Sequence, residues 1–342
     1  MPSSESVILL DPHPRSLAQI FGSEDRIRLE ALGQVVWHDG SPASDDLIDA
    51  YLPRTVAIIG QTPMPSERLA RAPNLQMIAN VESNFLPNID YEVCYRRNIH
   101  VVSTAPVFAQ PVAEMALGQA LAAARRSTEA DAAIRRGDES LYGEGINHDL
   151  FLLHGKTLGL LGCGNLGRAL LPLLRPFSND IVVHDPWLHP HVLRGLGVMP
   201  VSFDELFAHA QVVFILAATT TENQKAVGKD QFAAMTPGSV VVLISRAGVV
   251  DFDALLDAAA TGQIRAAIDV FPEEPIPPQH RVRQTPNTVL SAHRAGNVPE
   301  IWTEMGEMVV DDLELILRGL QPQRCQRAVL EIVTRLRSMP VS

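Results

Sequence analysis

The chain has 342 residues, 46% of them hydrophobic and 20% charged, which suits about two domains with ordinary cores. A formal net charge of −11 at pH 7 argues against binding nucleic acid or anionic membranes, since both need clustered positive charge. The apolar runs fall well short of the roughly 20 residues a membrane helix requires, and Met1-Pro2-Ser3-Ser4-Glu5-Ser6 carries no basic leader.

Cys94, Cys163 and Cys325 are scattered and lack C-x-x-C spacing, which suits small buried side chains in a reducing cytoplasm. Along the chain, β-branched runs at 7–10, 56–59, 75–79 and 100–103 predict strands. Several are almost continuously apolar, as parallel strands covered on both faces are. Around Thr104-Ala105-Pro106 the pattern stops, and Pro111 opens a long helical stretch rich in Ala and Leu, 112–126. The polar segment 130–147 reads as a surface excursion or an arm that packs on a partner subunit. Strands resume at 157–161, 181–184, 212–216, 240–244, 265–269 and 289–291. Between them, Ser202-Phe203-Asp204-Glu205 is a capping-box start, and 251–260 followed by Gly262 has a helical body with a glycine stop.

A loop at Gly296-Asn297-Val298-Pro299 precedes a second long helical pattern, 301–317. Strand–helix alternation on this scale predicts doubly wound α/β sheets. The two long helices flank the middle third, so residues 109–298 are expected as one domain inserted into another made of 1–108 and 299–342.

The strand at 157–161 runs into Gly162-Cys163-Gly164-Asn165-Leu166-Gly167 and then a helical stretch, 168–174. This is G-x-G-x-x-G between a strand and a helix. The first glycine allows the tight turn, the second lets backbone approach a pyrophosphate, and the third lets helix and strand pack closely. The helix N-terminus then offers N–H groups and a positive dipole end to the phosphates. Roughly twenty residues on, a second strand ends at Asp185, where an acid accepts hydrogen bonds from the adenosine ribose and repels a 2′-phosphate. Pro186 and Trp187 follow, not Arg, so NAD is favoured over NADP. His189-Pro190-His191 has no evident carboxylate or thiolate partner; we read it as exposed loop, and expect no metal site.

Three later segments each carry an ionisable group near a strand end: Arg246 in Ile244-Ser245-Arg246-Ala247-Gly248-Val249-Val250-Asp251, Glu274 in Asp269-Val270-Phe271-Pro272-Glu273-Glu274-Pro275, and His293 in Ser291-Ala292-His293-Arg294-Ala295-Gly296. In an open α/β sheet such ends line one crevice. Together with Asn88-Ile89-Asp90, Val112-Ala113-Glu114 and the glycine fingerprint, these segments resemble the D-isomer-specific 2-hydroxyacid dehydrogenase family over nearly the whole chain.

The resemblance implies an NAD-binding Rossmann domain inserted into a smaller flavodoxin-like substrate domain, with a cleft that closes during hydride transfer. It implies that Arg246 grips the substrate carboxylate and C2 oxygen. His293 would be the acid–base group, and Glu274, rather than its neighbour Glu273, would orient the imidazole. Gly162, Gly164, Asn165, Leu166, Gly167, Asp185, Asp269 and Gly296 would hold the cofactor, Asp269 at the nicotinamide carboxamide. A cytoplasmic homodimer built on the 112–126 helix and the arm after it is implied too.

The sequence departs from the family at 80–87, where Ser83 and Phe85 replace glycines of a carboxylate-binding loop and Glu82 adds a negative charge. We take Ser83, Asn84 and Phe85 as substrate residues and expect a substrate other than a standard lactate or glycerate analogue. Leu243 stands where Asn is common. Ala217-Ala218-Thr219-Thr220 replaces a proline-containing loop, with little consequence expected. The competing readings are a dehydrogenase for formate or phosphite, against which Glu274 in place of Gln argues, and a non-enzymatic NAD-sensing corepressor, which would leave the Arg, Glu and His without a use.

Overall fold

In chain order the strands of the computed structural model are β1 (Val7–Asp11), β2 (Gln34–Trp37), β3 (Thr55–Gly60), β4 (Met77–Asn80), β5 (His100–Ser103), β6 (Leu158–Leu161), β7 (Ile181–His184), β8 (Met199–Pro200), β9 (Val212–Ile215), β10 (Ser239–Leu243), β11 (Ile264–Ile268), β12 (Thr288–Leu290) and β13 (Gln326–Arg327). The structure describes residues 6–38, 41–142 and 149–337. The leader reading at residues 1–5 and the last part of the arm, 143–147, lie outside the described residues. The chain divides into two units, one of residues 1–108 and 298–342, the other of 109–297.

The first unit holds a sheet of order β13-β5-β4-β3-β1-β2, parallel except for the short β13. β1, β3 and β4 are wholly buried, which explains their unbroken apolar sequence. Alternate side chains divide between the two faces. Ile8, Leu10 and Ile59 join Ile301, Met305, Val309 and Leu313 of the helix Glu300–Leu317 in one core cluster. Leu9, Ile58 and Ile78 join Leu52, Leu69 and Cys94 in the other.

The second unit is a fully parallel sheet of order β12-β11-β10-β9-β6-β7-β8. The strand order reverses between β6 and β9, and ligands of open α/β sheets bind at such a reversal, beyond the strands' carboxyl ends. On one face Val240, Val242 and Ile244 pack with Ala116 and Ala120 of the helix Ala109–Arg125 and with Leu170 and Leu174 of the helix Asn165–Leu174. On the other, Val241 and Leu243 pack with Phe207, Phe232 and Leu255. Each fully buried aliphatic chain of this kind contributes about 1.5–3 kcal/mol. Pro111 sits in the first turn of Ala109–Arg125, where its missing N–H costs nothing. Ser202 and Glu205 form the reciprocal capping box at the start of Phe203–His209.

Arg265 interrupts the apolar run of β11 yet is only 5% exposed. Its guanidinium donates to the Ala123 and Ala124 carbonyls, 3.1 Å each, at the end of Ala109–Arg125, and to the Asp149 carbonyl. A buried cation thus caps a helix C-terminus, where carbonyls lack intrahelical donors. No helix among the described residues is long and apolar enough to cross a membrane.

Candidate active site

Gly162 leaves β6 with φ +94°, and a Cβ there would lie 3.0 Å from the Ala217 nitrogen beyond β9. A residue with a side chain would strain this turn and crowd the neighbouring strand end. Gly164 is the N-cap of Asn165–Leu174, and a Cβ built on it meets nothing within 4 Å. Its open face lets an anion reach the first turn of a ten-residue helix. Gly167 packs tightly instead, its hypothetical Cβ 2.9 Å from the Gly162 carbonyl. Asn165 begins the helix and Leu166 packs against the adjoining core.

Asp185, just past β7, is fixed by three backbone donors. Oδ2 accepts from the Cys163 N–H at 2.8 Å, and Oδ1 from the Trp187 and Leu188 N–H groups at 2.9 and 3.2 Å. A carboxylate pinned beside an open glycine turn fits a ribose diol and a diphosphate, so these residues suit a dinucleotide. The Cys163 thiol is fully buried, and burial pushes its pKa up to about 11, which leaves it inert. His189 accepts from the His191 N–H at 3.1 Å and caps the helix Pro190–Gly195.

Arg246, Glu274 and His293 follow β10, β11 and β12, three adjacent strands, at their carboxyl ends. The His293 Nδ1 lies 2.6 Å from Glu274 Oε2. Glu274 Oε1 accepts from the Phe271 N–H at 2.8 Å, which fixes the carboxylate. Burial alone would raise the Glu274 pKa, but the bonds from His293 and Phe271 and the positive charges of His293 and Arg246 hold it below the ordinary glutamate range. An ionised carboxylate only accepts hydrogen bonds, so Nδ1 donates and Nε2 is the ring nitrogen left for chemistry. Glu273 is exposed and makes no side-chain bond among the described residues.

The Arg246 Nη1 donates to the Ser245 carbonyl at 2.7 Å, and Ser245 Oγ donates to the Ala217 carbonyl at 2.8 Å. The 217–220 loop therefore braces the arginine's loop, a consequence not expected from sequence. Leu243 is fully buried in strand packing, so the Asn common in the family is replaced there by core.

Asp269 has no exposed surface. Its carboxylate accepts from the Ser291 hydroxyl and from the Arg294 and Ala295 N–H groups, the latter two at 3.0 and 3.1 Å. Its oxygens are thus turned toward the loop that carries His293. Gly296 belongs to the same loop, which the Asn297 N–H closes on the Arg294 carbonyl at 3.0 Å.

In the first unit the 80–87 segment is folded inward. Asn80 Nδ2 donates to the Asn84 Oδ1 and carbonyl at 2.9 and 3.1 Å, and Asn80 Oδ1 accepts from the Glu82 N–H at 2.9 Å. Phe85 is 6% exposed and meets Tyr91 edge-on. The side chains of Asn84 and Phe85 thus serve packing. Glu82 does not present an uncompensated charge either: Arg15 Nε pairs with it at 2.9 Å, beneath the Trp302 ring.

A family model described as the NAD-binding domain of D-isomer specific 2-hydroxyacid dehydrogenases matches residues 117–295. The chain is 30% identical over 301 residues to a glyoxylate reductase of Korarchaeum cryptofilum, covering 87% of this chain and 90% of that protein. It is 29% identical over 301 residues to a D-3-phosphoglycerate dehydrogenase of Methanocaldococcus jannaschii, covering 86% of this chain and 56% of that protein, so the chain spans little more than half of this relative. The fold superposes on a solved phosphoglycerate oxidoreductase from Rhizobium etli with a TM-score of 0.84 and 42% identity, over 96% of this chain and 99% of the other. It also superposes on an NADPH-dependent glyoxylate/hydroxypyruvate reductase from Sinorhizobium meliloti with a TM-score of 0.74 and 25% identity, over 97% and 100% of the two chains.

Proposed function

Because the chain belongs to the D-isomer-specific 2-hydroxyacid dehydrogenase family, we propose that it interconverts a small D-2-hydroxy acid and its 2-oxo acid, with NAD preferred over NADP. The observation that carries this reading is the 2.6 Å pair of His293 and Glu274 on strand ends next to Arg246. A nicotinamide cofactor, when bound, supplies or accepts the hydride at C2. Arg246 grips the substrate carboxylate and C2 oxygen with a planar fork that Lys cannot copy. His293 delivers a proton from Nε2 to the C2 oxygen in reduction and removes it from the hydroxyl in oxidation. Glu274 keeps Nδ1 protonated and stabilises the imidazolium.

Gly162, Gly164, Asn165, Leu166 and Gly167 cradle the diphosphate, Asp185 takes the ribose and disfavours a 2′-phosphate, and Asp269 and Gly296 stay in the cofactor set through the loop they build. Ser83, Asn84 and Phe85 act on substrate through main chain, since the Asn84 and Phe85 side chains are packed inward. With Glu82 compensated by Arg15 and Phe85 packed inward, neither residue any longer supports the expectation of an unusual acid. Exposed Ile134 and Tyr142 on the arm, with exposed Leu152 a few residues beyond it, support a homodimer, and sedimentation as a monomer would remove that part. Three buried, unbridged cysteines support a reducing cytoplasm.

The test is NADH oxidation across glyoxylate, hydroxypyruvate, pyruvate, and branched and aromatic 2-oxo acids. Turnover with at least one acid is expected, and His293→Ala or Arg246→Ala should abolish it; loss of a positioned acid alone costs roughly 10²–10⁴ in rate. NADH binding without turnover on any acid overturns the reading.

A further inference from the structure

His293 has φ +49°, a left-handed backbone uncommon for a residue with a side chain. Such a conformation persists only where its surroundings over-determine it. Here the bonds converge on Asp269. Its carbonyl accepts from the His293 N–H at 2.8 Å, and its carboxylate takes Ser291 Oγ on one side of the histidine and the Arg294 and Ala295 N–H groups on the other.

The chain of bonds does not stop there. Ser291 Oγ, which donates its hydrogen bond to Asp269, accepts one from Gln119 Nε2 at 2.7 Å. Gln119 lies on the helix Ala109–Arg125, is 4% exposed, and stands among alanines and apolar side chains. Its Oε1 has no partner among the described residues. Burying an amide with one end unsatisfied is costly, and the one side-chain bond it makes among the described residues runs to Ser291.

We propose that Gln119, Ser291 and Asp269 form a positioning relay that anchors the proton-transfer histidine to the long helix and holds its ring against Glu274. The inference rests on the reading of His293 given above. None of the three residues needs to touch the reacting atoms; they set where Nε2 points. Catalytic geometry tolerates little displacement, so loosening the relay slows the chemical step while the binding of cofactor and acid is kept.

The experiment compares steady-state kinetics of Ser291→Ala and Gln119→Leu with the unmodified protein, using NADH and whichever 2-oxo acid it turns over. Ser291→Ala should lower kcat about tenfold, the equivalent of one ordinary hydrogen bond, and Gln119→Leu should lower it several-fold, with both KM values within about twofold. Added to Glu274→Gln, Ser291→Ala should cost far less than it does alone, because both act through the same ring; a structural lesion would add in full. Gln119→Leu carries the same test should Ser291→Ala not fold. Unchanged kcat in both variants, a loss confined to KM, or full additivity with Glu274→Gln would overturn the relay. His293→Ala separates the two readings. Wild-type turnover in that variant removes the role of His293 itself, whereas its inactivity beside unaffected Ser291→Ala and Gln119→Leu removes the relay alone.

Discussion

Two adjacent acids offer a sharp test, because only one is bonded to the histidine. Glu274→Gln keeps the side-chain shape and the acceptor for the Phe271 N–H but removes the charge facing His293 Nδ1 at 2.6 Å. A hydrogen bond to a charged partner contributes about 1.5–3 kcal/mol. The side chains of His293 and Glu274 are 48% and 34% exposed, so solvent screening favours the lower end. That corresponds to a loss of roughly ten- to thirtyfold in kcat/KM for 2-oxo acid reduction. Glu273→Gln should stay within about twofold, since no bond is lost.

The pH dependence has a definite sign. Glu274 has a folded pKa held below the ordinary 4.5, so the contribution of its charge is fully present above that value and fades only as pH falls through the lower folded value. The loss caused by Glu274→Gln should therefore hold steady above about pH 4.5 and shrink only as pH falls below it. The measurement is a pH series of initial NADH-oxidation rates for the three proteins. Equal losses in the two Glu→Gln variants, or a Glu274→Gln loss that vanishes at neutral pH, would refute the pairing as the functional one.

Gly164→Ala should lower the melting temperature by no more than about 2–4 °C, the cost of an alanine at a helix N-cap, because its Cβ meets nothing within 4 Å. It should nevertheless weaken NADH at least about tenfold by fluorescence titration, the methyl standing where phosphate must approach; unchanged affinity would move the cofactor elsewhere. Asp185→Asn removes the charge that repels a 2′-phosphate, and the kcat/KM ratio of NADPH to NADH should rise roughly tenfold or more. A ratio that stays put would detach Asp185 from the ribose. Arg265→Met keeps much of the buried stem but strips donors from three carbonyls. The cost should be on the order of 3 kcal/mol, or about 6–12 °C by calorimetry, and a shift under about 2 °C would dismiss the cap.

The strands legible in the sequence are mostly the central ones, though β5 and the edge strand β12, read at 100–103 and 289–291, are legible too. β1, β3, β4, β6, β7, β9, β10 and β11 are covered by helices on both faces, so nearly every position must be apolar and the run stands out. β2 is an edge strand of mixed exposure, with Trp37 58% exposed, while β8 and β13 have two residues each. Too little of them is buried to impose a pattern. Arg265 was illegible for the opposite reason: within β11 it looks like an interruption, and only the end of a helix far back in the chain explains it.

The site divides along the same line. Glycines, Asp185, Arg246, Glu274 and His293 can be read locally because each sits where a strand meets a loop, and the chemistry limits which residue types work there. Side-chain direction cannot be read that way. Phe85 looked like a substrate contact since it replaces a glycine, yet a large apolar ring next to Tyr91 lowers its free energy most by entering the core. Glu82 looked like a bare charge because Arg15, its partner, follows a different strand. Asp269 shows the general case. Its sequence motif marks it as special, but a carboxylate with no exposed surface must find donors, and the nearest are the amides and hydroxyl of the histidine loop. The requirement to satisfy a buried charge is thus met by the same bonds that hold His293 in its strained backbone, so stability and the placement of His293 cannot be altered separately at this position.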